Sequence, residues 1–276
     1  MKVKNKKKIL LALGLVALVL VLTGCGTGEV TADSTGVWER YIIYNFGRAI
    51  DFLSFGGSAG IGIILFTIII RVILLPLMHY QNKSMRKTQE LQPKLKELQA
   101  KYSSKDPETT RKLQEEQQKL YDANGVNPFA GCLPLLIQMP IMMALWQSIS
   151  RTGLSKGNFL WLELGKPDPI FILPVLAAIF TFASTKLSSM GQVDANPSMK
   201  IMNYAMPVMI LFMGINLASG LSLYWVISNA FQVGQTLLIN NPFKIKRERE
   251  EEQQRKRDLE RALQKAQSNK KKKAKR

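Results

Sequence analysis

The chain has 276 residues, 46% of them hydrophobic, and its 38 Lys and Arg against 20 Asp and Glu give a formal charge of +18. Mean hydropathy is zero, but that average joins long apolar runs to segments crowded with Lys and Arg, which excludes an ordinary basic soluble domain and points to a membrane protein. Cys25 and Cys132 are the only cysteines, so a disulfide framework is excluded too.

At the N-terminus Lys2, Lys4, Lys6, Lys7 and Lys8 precede an apolar stretch from Ile9 to Leu22, so residues 1–24 read as a signal peptide. Leu22-Thr23-Gly24-Cys25 resembles a bacterial lipobox. That resemblance implies that Cys25 becomes the first mature residue and carries a covalent diacylglycerol and N-acyl lipid on the outer face of a bacterial plasma membrane. An uncleaved anchor with an incidental cysteine is the other reading. In the extracytoplasmic segment 25–57, Trp38, Ile42, Phe46, Ala49 and Leu53 recur at helical spacing, with Arg40, Arg48 and Asp51 on another face. This is the pattern of a helix lying in the membrane interface, and equally of a helix that packs ahead of a span.

Five further apolar segments approach the roughly 20 residues a span needs: 58–78, 131–150, 169–189, 200–217 and 222–240. The fold class expected is therefore all-α and polytopic. The spans are joined by a cytosolic segment 79–130, an outer loop 151–168, a cytosolic loop 190–199 and an outer turn 218–221. Orientation follows from the flanking cations. Segments 25–57 and 151–168 hold only Arg40, Arg48, Arg151, Lys156 and Lys166, whereas 79–130 and 241–276 hold ten and fifteen basic residues. The positive-inside rule puts the mature N-terminus outside and the C-terminus in the cytosol.

Segment 79–130 reads as a helical hairpin. Leu91, Leu95, Leu98 and Tyr102 mark one helix; Asp106-Pro107 starts a second with Leu113 and Leu120, and Asn124-Gly125 ends it. Pro93 is expected to kink the first. The basic tail 241–276 suits a helix from Lys246 to Gln267 with disordered last residues. Its charge fits attraction to anionic membrane lipids or docking on a polyanion such as ribosomal RNA.

Arg71 lies inside the first span, where a guanidinium costs roughly 2.5–3.5 kcal/mol on insertion scales. It is seven residues from Met78, about 10 Å below the cytoplasmic end, so snorkelling covers part of the distance. No Asp or Glu occurs in any of the five spans, so no carboxylate partner exists there and water is the better answer. Gln138, Thr181 and Gln232 fall at similar depth on three other spans, and Ser222, Trp225, Asn229, Gln232 and Thr236 make a polar stripe on the last. Singly, each suits an interhelical hydrogen bond. Together they predict a hydrophilic groove in the inner leaflet, open to the cytosol and carrying one positive charge. Met199, Met202, Met206, Met209 and Met213 form a stripe on the fourth span that reads as core packing, or else as a deformable surface.

Chemistry is sparse. His79 is the only histidine, so no His-based metal site or catalytic triad can be assembled, and no P-loop pattern offers a nucleotide site. No cofactor and no enzymatic activity are expected.

Several marks then occur in order. They are Arg71 before Leu74-Leu75-Pro76-Leu77, Asn127-Pro128 before Gly131-Cys132-Leu133-Pro134 and Gln138-Met139-Pro140, and Gly220-Leu221 before Leu223-Tyr224-Trp225 with Asn229 and Gln232. In these the chain resembles the YidC/Oxa/Alb family of membrane protein insertases, in its Gram-positive lipoprotein form, with a long basic tail similar to the second paralogue. The resemblance implies insertion and folding of nascent membrane proteins, alone or beside the Sec translocon, without a nucleotide. It places the groove arginine on Arg71, the groove tryptophan on Trp225 and a ribosome contact on the tail. The alternative is an anion channel or transporter with Arg71 as its selectivity charge, which would need a path through the apolar outer leaflet.

Overall fold

The computed structural model describes residues 28–104, 106–127, 133–190, 197–239 and 241–274. The signal peptide, Cys25, and Pro128 with Gly131-Cys132 of the second mark lie outside the described residues, as does most of loop 190–199. The chain is built almost wholly from helices. A π-helical turn Glu39–Ile43 leads into α1 (Tyr44–Phe52), and α2 (Ala59–Ile73) follows. The arm contains α3 (Leu75–Glu90), α4 (Gln92–Lys101) and α5 (Pro107–Ala123). The remaining helices are α6 (Leu133–Arg151), α7 (Ile172–Met190), α8 (Pro197–Ile215), α9 (Ser219–Ile239) and α10 (Pro242–Ala274). A two-stranded antiparallel hairpin, β1 (Asn158–Phe159) and β2 (Leu162–Glu163), lies between α6 and α7.

Helix α9 is the hub, packing against α2, α6 and α7, while α8 packs along α7 and α1 lies across α2 and α6. The core joins Ile50, Ile63, Phe66, Leu145, Ile149, Leu173, Ala177, Leu221 and Leu223. Two glycines permit the closest approaches. A Cβ at Gly62 would sit 2.3 Å from the Ile50 carbonyl oxygen, and one at Gly60 would meet the Phe159 ring at 2.1 Å. Helix α1 and strand β1 can therefore press on α2 only because those positions carry no side chain. Ile43 and Ile50 are fully buried and Trp38 nearly so, which makes the α1 segment a packed helix.

The end of the bundle away from the arm is sealed by backbone pairing. Gly220 N–H donates to the Leu164 carbonyl at 2.9 Å and Ser219 N–H to the Lys166 carbonyl at 2.7 Å, so the first turn of α9 finds its acceptors in the loop before α7. Leu162 and Leu164 of that loop are buried in the core. Asp168, 1% exposed, accepts from the Leu173 N–H at 2.7 Å, the Ile170 N–H at 3.2 Å and the Trp161 Nε1–H at 3.0 Å, capping α7 and tying the hairpin to it. Arg151 pairs with Glu39 and donates to the Gly28 carbonyl at 2.7 Å, which fastens the N-terminal segment to the end of α6.

The structure redraws several boundaries. The expected span 58–78 is not one straight helix: α2 and α3 meet at Leu74 with a bend of 57°. Pro76 explains the break, since it has no N–H to continue the ladder and its ring crowds the carbonyl four residues before it. The chain re-enters helix at Ser219, so 218–221 is not a turn throughout. The tail helix begins at Pro242 and runs on to Ala274 through the lysines expected to be disordered. Met206, Met209 and Met213 are exposed, against core packing of that stripe. Taken singly, α7 is the described helix long and apolar enough to cross a membrane, and the bent pair α2–α3 qualifies when counted together.

The arm follows its sequence signals. The Asp106 carboxylate caps α5 by accepting from the Thr109 N–H at 2.8 Å. At the other end Gly125 takes a φ of 59°, and Val126 N–H returns to the Tyr121 carbonyl at 3.0 Å. Val126 is thereby buried with Leu91 and Leu95 against Leu120 and Tyr121, the small core that holds the arm's helices together. Pro93 sits in the first turn of α4, after a break at Leu91, instead of kinking a continuous helix.

Candidate functional site

Arg71 stands in the last turn of α2, just before the bend. Its Nε–H donates to Ser228 Oγ at 2.8 Å, and Nη2 reaches the same oxygen. Ser228 is on α9 and 1% exposed. Among the described residues Arg71 forms no ion pair, so its partner is a neutral hydroxyl that orients the guanidinium without cancelling its charge. A guanidinium has five N–H donors, and those beyond the Ser228 contact have no hydrogen-bond acceptor among the described residues. Chemically this is a fixed cation offering donors to a carboxylate, a carbonyl or water.

Of the other expected residues, Trp225, Asn229 and Gln232 lie on α9 itself and Gln138 reaches it. Gln138 on α6 donates through Nε2 to the Tyr224 hydroxyl at 2.6 Å. Thr181 on α7 is buried, and its hydroxyl has no hydrogen-bond partner among the described residues. One turn on, Ser184 Oγ lies 3.5 Å from Asn229 Oδ1, while Asn229 Nδ2 donates to the Trp225 carbonyl at 2.9 Å. Trp225 packs half-buried against the core. Gln232 Nε2 faces Thr236 Oγ1 at 3.4 Å, and both line a small cavity of about 50 Å³ with Asn82, Arg86, Gln89 and Ser188. That cavity sits where α3, α7, α9 and the start of α10 meet, and its lining does not include Arg71.

Apart from Thr181, the expected residues are thus brought to one helix but not to one point. Their contacts run along α9 from Tyr224 to Thr236, about 18 Å at 1.5 Å per residue. Sequence reasoning missed Ser228 and Tyr224, the two groups that receive Arg71 and Gln138. It also missed Gln235, buried on α9 with neither amide atom hydrogen-bonded among the described residues. A signal was there: Tyr224, Ser228 and Gln235 step by four and seven, a second polar face about 120° round the helix from Ser222, Asn229 and Thr236 of the stripe. Ser222 Oγ is also buried without a partner among the described residues.

Comparison with known proteins agrees with this architecture. The family described as 60Kd inner membrane protein matches residues 52–248. A membrane protein insertase YidC of Enterococcus faecalis is 68% identical over 270 residues, covering 98% of each chain. One numbered YidC 1 from Listeria monocytogenes is 55% identical over 90% of this chain and 88% of its own, and one from Streptococcus pyogenes is 53% identical over 96% and 98%. A crystal structure described as an active YidC insertase with its first transmembrane domain resolved superposes with a TM-score of 0.58 at 32% identity. It covers 73% of this chain and 47% of that one, so the present chain spans about half the length of the crystallised protein.

Proposed function

The chain belongs to the YidC family of membrane protein insertases, and from that premise we propose that it captures the polar tail of a nascent membrane protein in a cytosol-open hydrophilic groove beside Arg71. The observation that carries this reading is the half-satisfied guanidinium, held by one neutral hydroxyl with donors to spare. The orphaned hydroxyls of Thr181 and Ser222 and the orphaned amide of Gln235 favour a wet interior around α9, because buried polar groups left without protein partners are otherwise costly. Water and the cation shorten the hydrocarbon that a polar tail must cross. The substrate's apolar segment then leaves along α7 and α9 into lipid, driven by its own partition and needing no nucleotide.

In this reading α2, α6, α7, α8 and α9 are five spans, with the arm and tail in the cytosol and Cys25 lipidated outside. The Sec translocon is an alternative route's companion, and the ribosome is met by the tail. A channel with Arg71 as selectivity charge is disfavoured, since the loop carrying Leu162 and Leu164 packs into the end of the bundle that a pore would have to open. Cysteines replacing Gln138 and Gln232 test the groove. A membrane-impermeant thiol reagent added from the cytosolic side should label both and leave cysteines near the Ala59 end of α2 unmodified. Equal protection everywhere would mean a dry bundle.

A further inference from the structure

The hairpin between α6 and α7 turns through two residues, Leu160 and Trp161, between the paired Phe159 and Leu162. Leu160 takes a φ of 55°, in the left-handed region that such turns ordinarily fill with Gly, Asn or Asp. Both turn side chains nevertheless point outward, Leu160 74% and Trp161 43% exposed. A few residues on, Phe171 repeats the combination, an exposed aromatic at a φ of 59°. A turn meant for water would carry neither a leucine nor a tryptophan at its tip.

Asp168 brings these pieces together. Its buried carboxylate holds the Trp161 indole and the Ile170 N–H, so that Leu160, Trp161, Ile170 and Phe171 form one exposed apolar patch. The patch continues an existing surface. Ile172, Val175, Ile179 and Phe182 step by three, four and three down one exposed face of α7, the helix whose length and composition suit a membrane crossing. At the foot of the hairpin Lys166 and Glu163 form an exposed ion pair.

We propose that the β1–β2 tip is an interfacial wedge: Leu160 and Trp161, with Phe171, insert among the lipids of the leaflet at the end of α7 remote from the arm. The indole suits that depth, its apolar ring in the acyl boundary and its N–H already satisfied by Asp168. The wedge would fix the height of α7 in the bilayer and leave the hairpin no freedom to swing away from the bundle. This inference rests on the membrane-spanning reading of α7.

The test uses full-length protein in vesicles of zwitterionic lipid carrying bromine either near the headgroup or deep in the acyl chain. The emission lost on Trp161→Phe, taken as the difference from wild type, reports Trp161. It should be quenched more by shallow than by deep bromine and be protected from aqueous iodide. Phe171→Trp, which leaves the Asp168 contacts in place, should add emission with the same depth preference. Ile179→Trp serves as the control for the span and should respond most to deep bromine. If Ile179→Trp is quenched by lipid while the Trp161 and Phe171→Trp signals are quenched only by iodide, the wedge is wrong and the span stands. If no position responds to brominated lipid, the spanning reading itself falls.

Discussion

Two charged side chains are treated in opposite ways. Asp168 is buried and given three donors, two backbone N–H groups and an indole, so its charge is fully met by the protein. Arg71 has one neutral acceptor and retains donors for something else. The first pattern is that of a structural residue; the second is what the proposed function asks of Arg71. Asp168→Ala is therefore expected to lower stability by roughly 3 kcal/mol, since it strands three donors around a buried site. Thermal unfolding in detergent should show the loss, with a smaller one for Asp168→Asn. The sequence made Arg71 conspicuous because a cation in an apolar run has few explanations. Ser228 and Tyr224 carried a weaker signal: their helical spacing marks a polar face, but only the crossing of α2, α6 and α9 gives them partners.

Among the elements, those with strong local chemistry were legible. Asp106-Pro107 and Asn124-Gly125 bound α5 as their capping roles require. Hydrogen bonds from the Ser104 hydroxyl and from Thr109 hold the Asp106 carboxyl well below the usual carboxylate range. A carboxyl whose folded value is depressed contributes stability above its unfolded value and loses it as pH falls. Arm helicity should thus hold down to about pH 3.9, the unfolded value, and decline below it. Circular dichroism of wild type against Asp106→Asn checks this: the variant should lack that acid-side decline, and identical profiles would dissociate the cap from the arm's stability. What the sequence hid was the course of segment 58–78. Hydropathy ran straight through Leu74, but Pro76 interrupts the ladder and the helix bends by 57°. Arg71 is consequently at the end of its helix and not a further two turns inside it.

For the whole molecule, composition announced a helical membrane protein, and the family match bears that out. The arrangement around α9 could not be read in advance, because it depends on close approaches at Gly60 and Gly62 whose partners, Phe159 and Ile50, lie elsewhere in the chain. The tail shows the same dependence on context. Pro242 and Ile245 line the cavity at the foot of α9, and Arg249 pairs with Glu90 of the arm at 3.8 Å, so the first turns of α10 belong to the bundle. Removing 255–276 spares these contacts while deleting eleven Lys and Arg. The truncated protein should fold and reach the membrane but co-sediment less with ribosomes, the difference between the two proteins narrowing as salt rises. Unchanged co-sedimentation across a salt series would leave the tail its attraction to lipid alone.

In the proposed mechanism the charge of Arg71 captures polar tails, a capture open to direct measurement. Its most direct measurement is protease protection of a set of substrates differing only in the charge of the translocated tail, in cells depleted of any paralogue. Arg71→Lys keeps the cation and loses the planar fork, so it should retain most activity. Arg71→Ala should still fold, because it leaves only the Ser228 hydroxyl without its partner, yet it should fail to insert acidic tails while neutral ones suffer least. Equal insertion of acidic and neutral tails by Arg71→Ala would rule out capture by charge and reduce Arg71 to a residue that fastens α2 to α9.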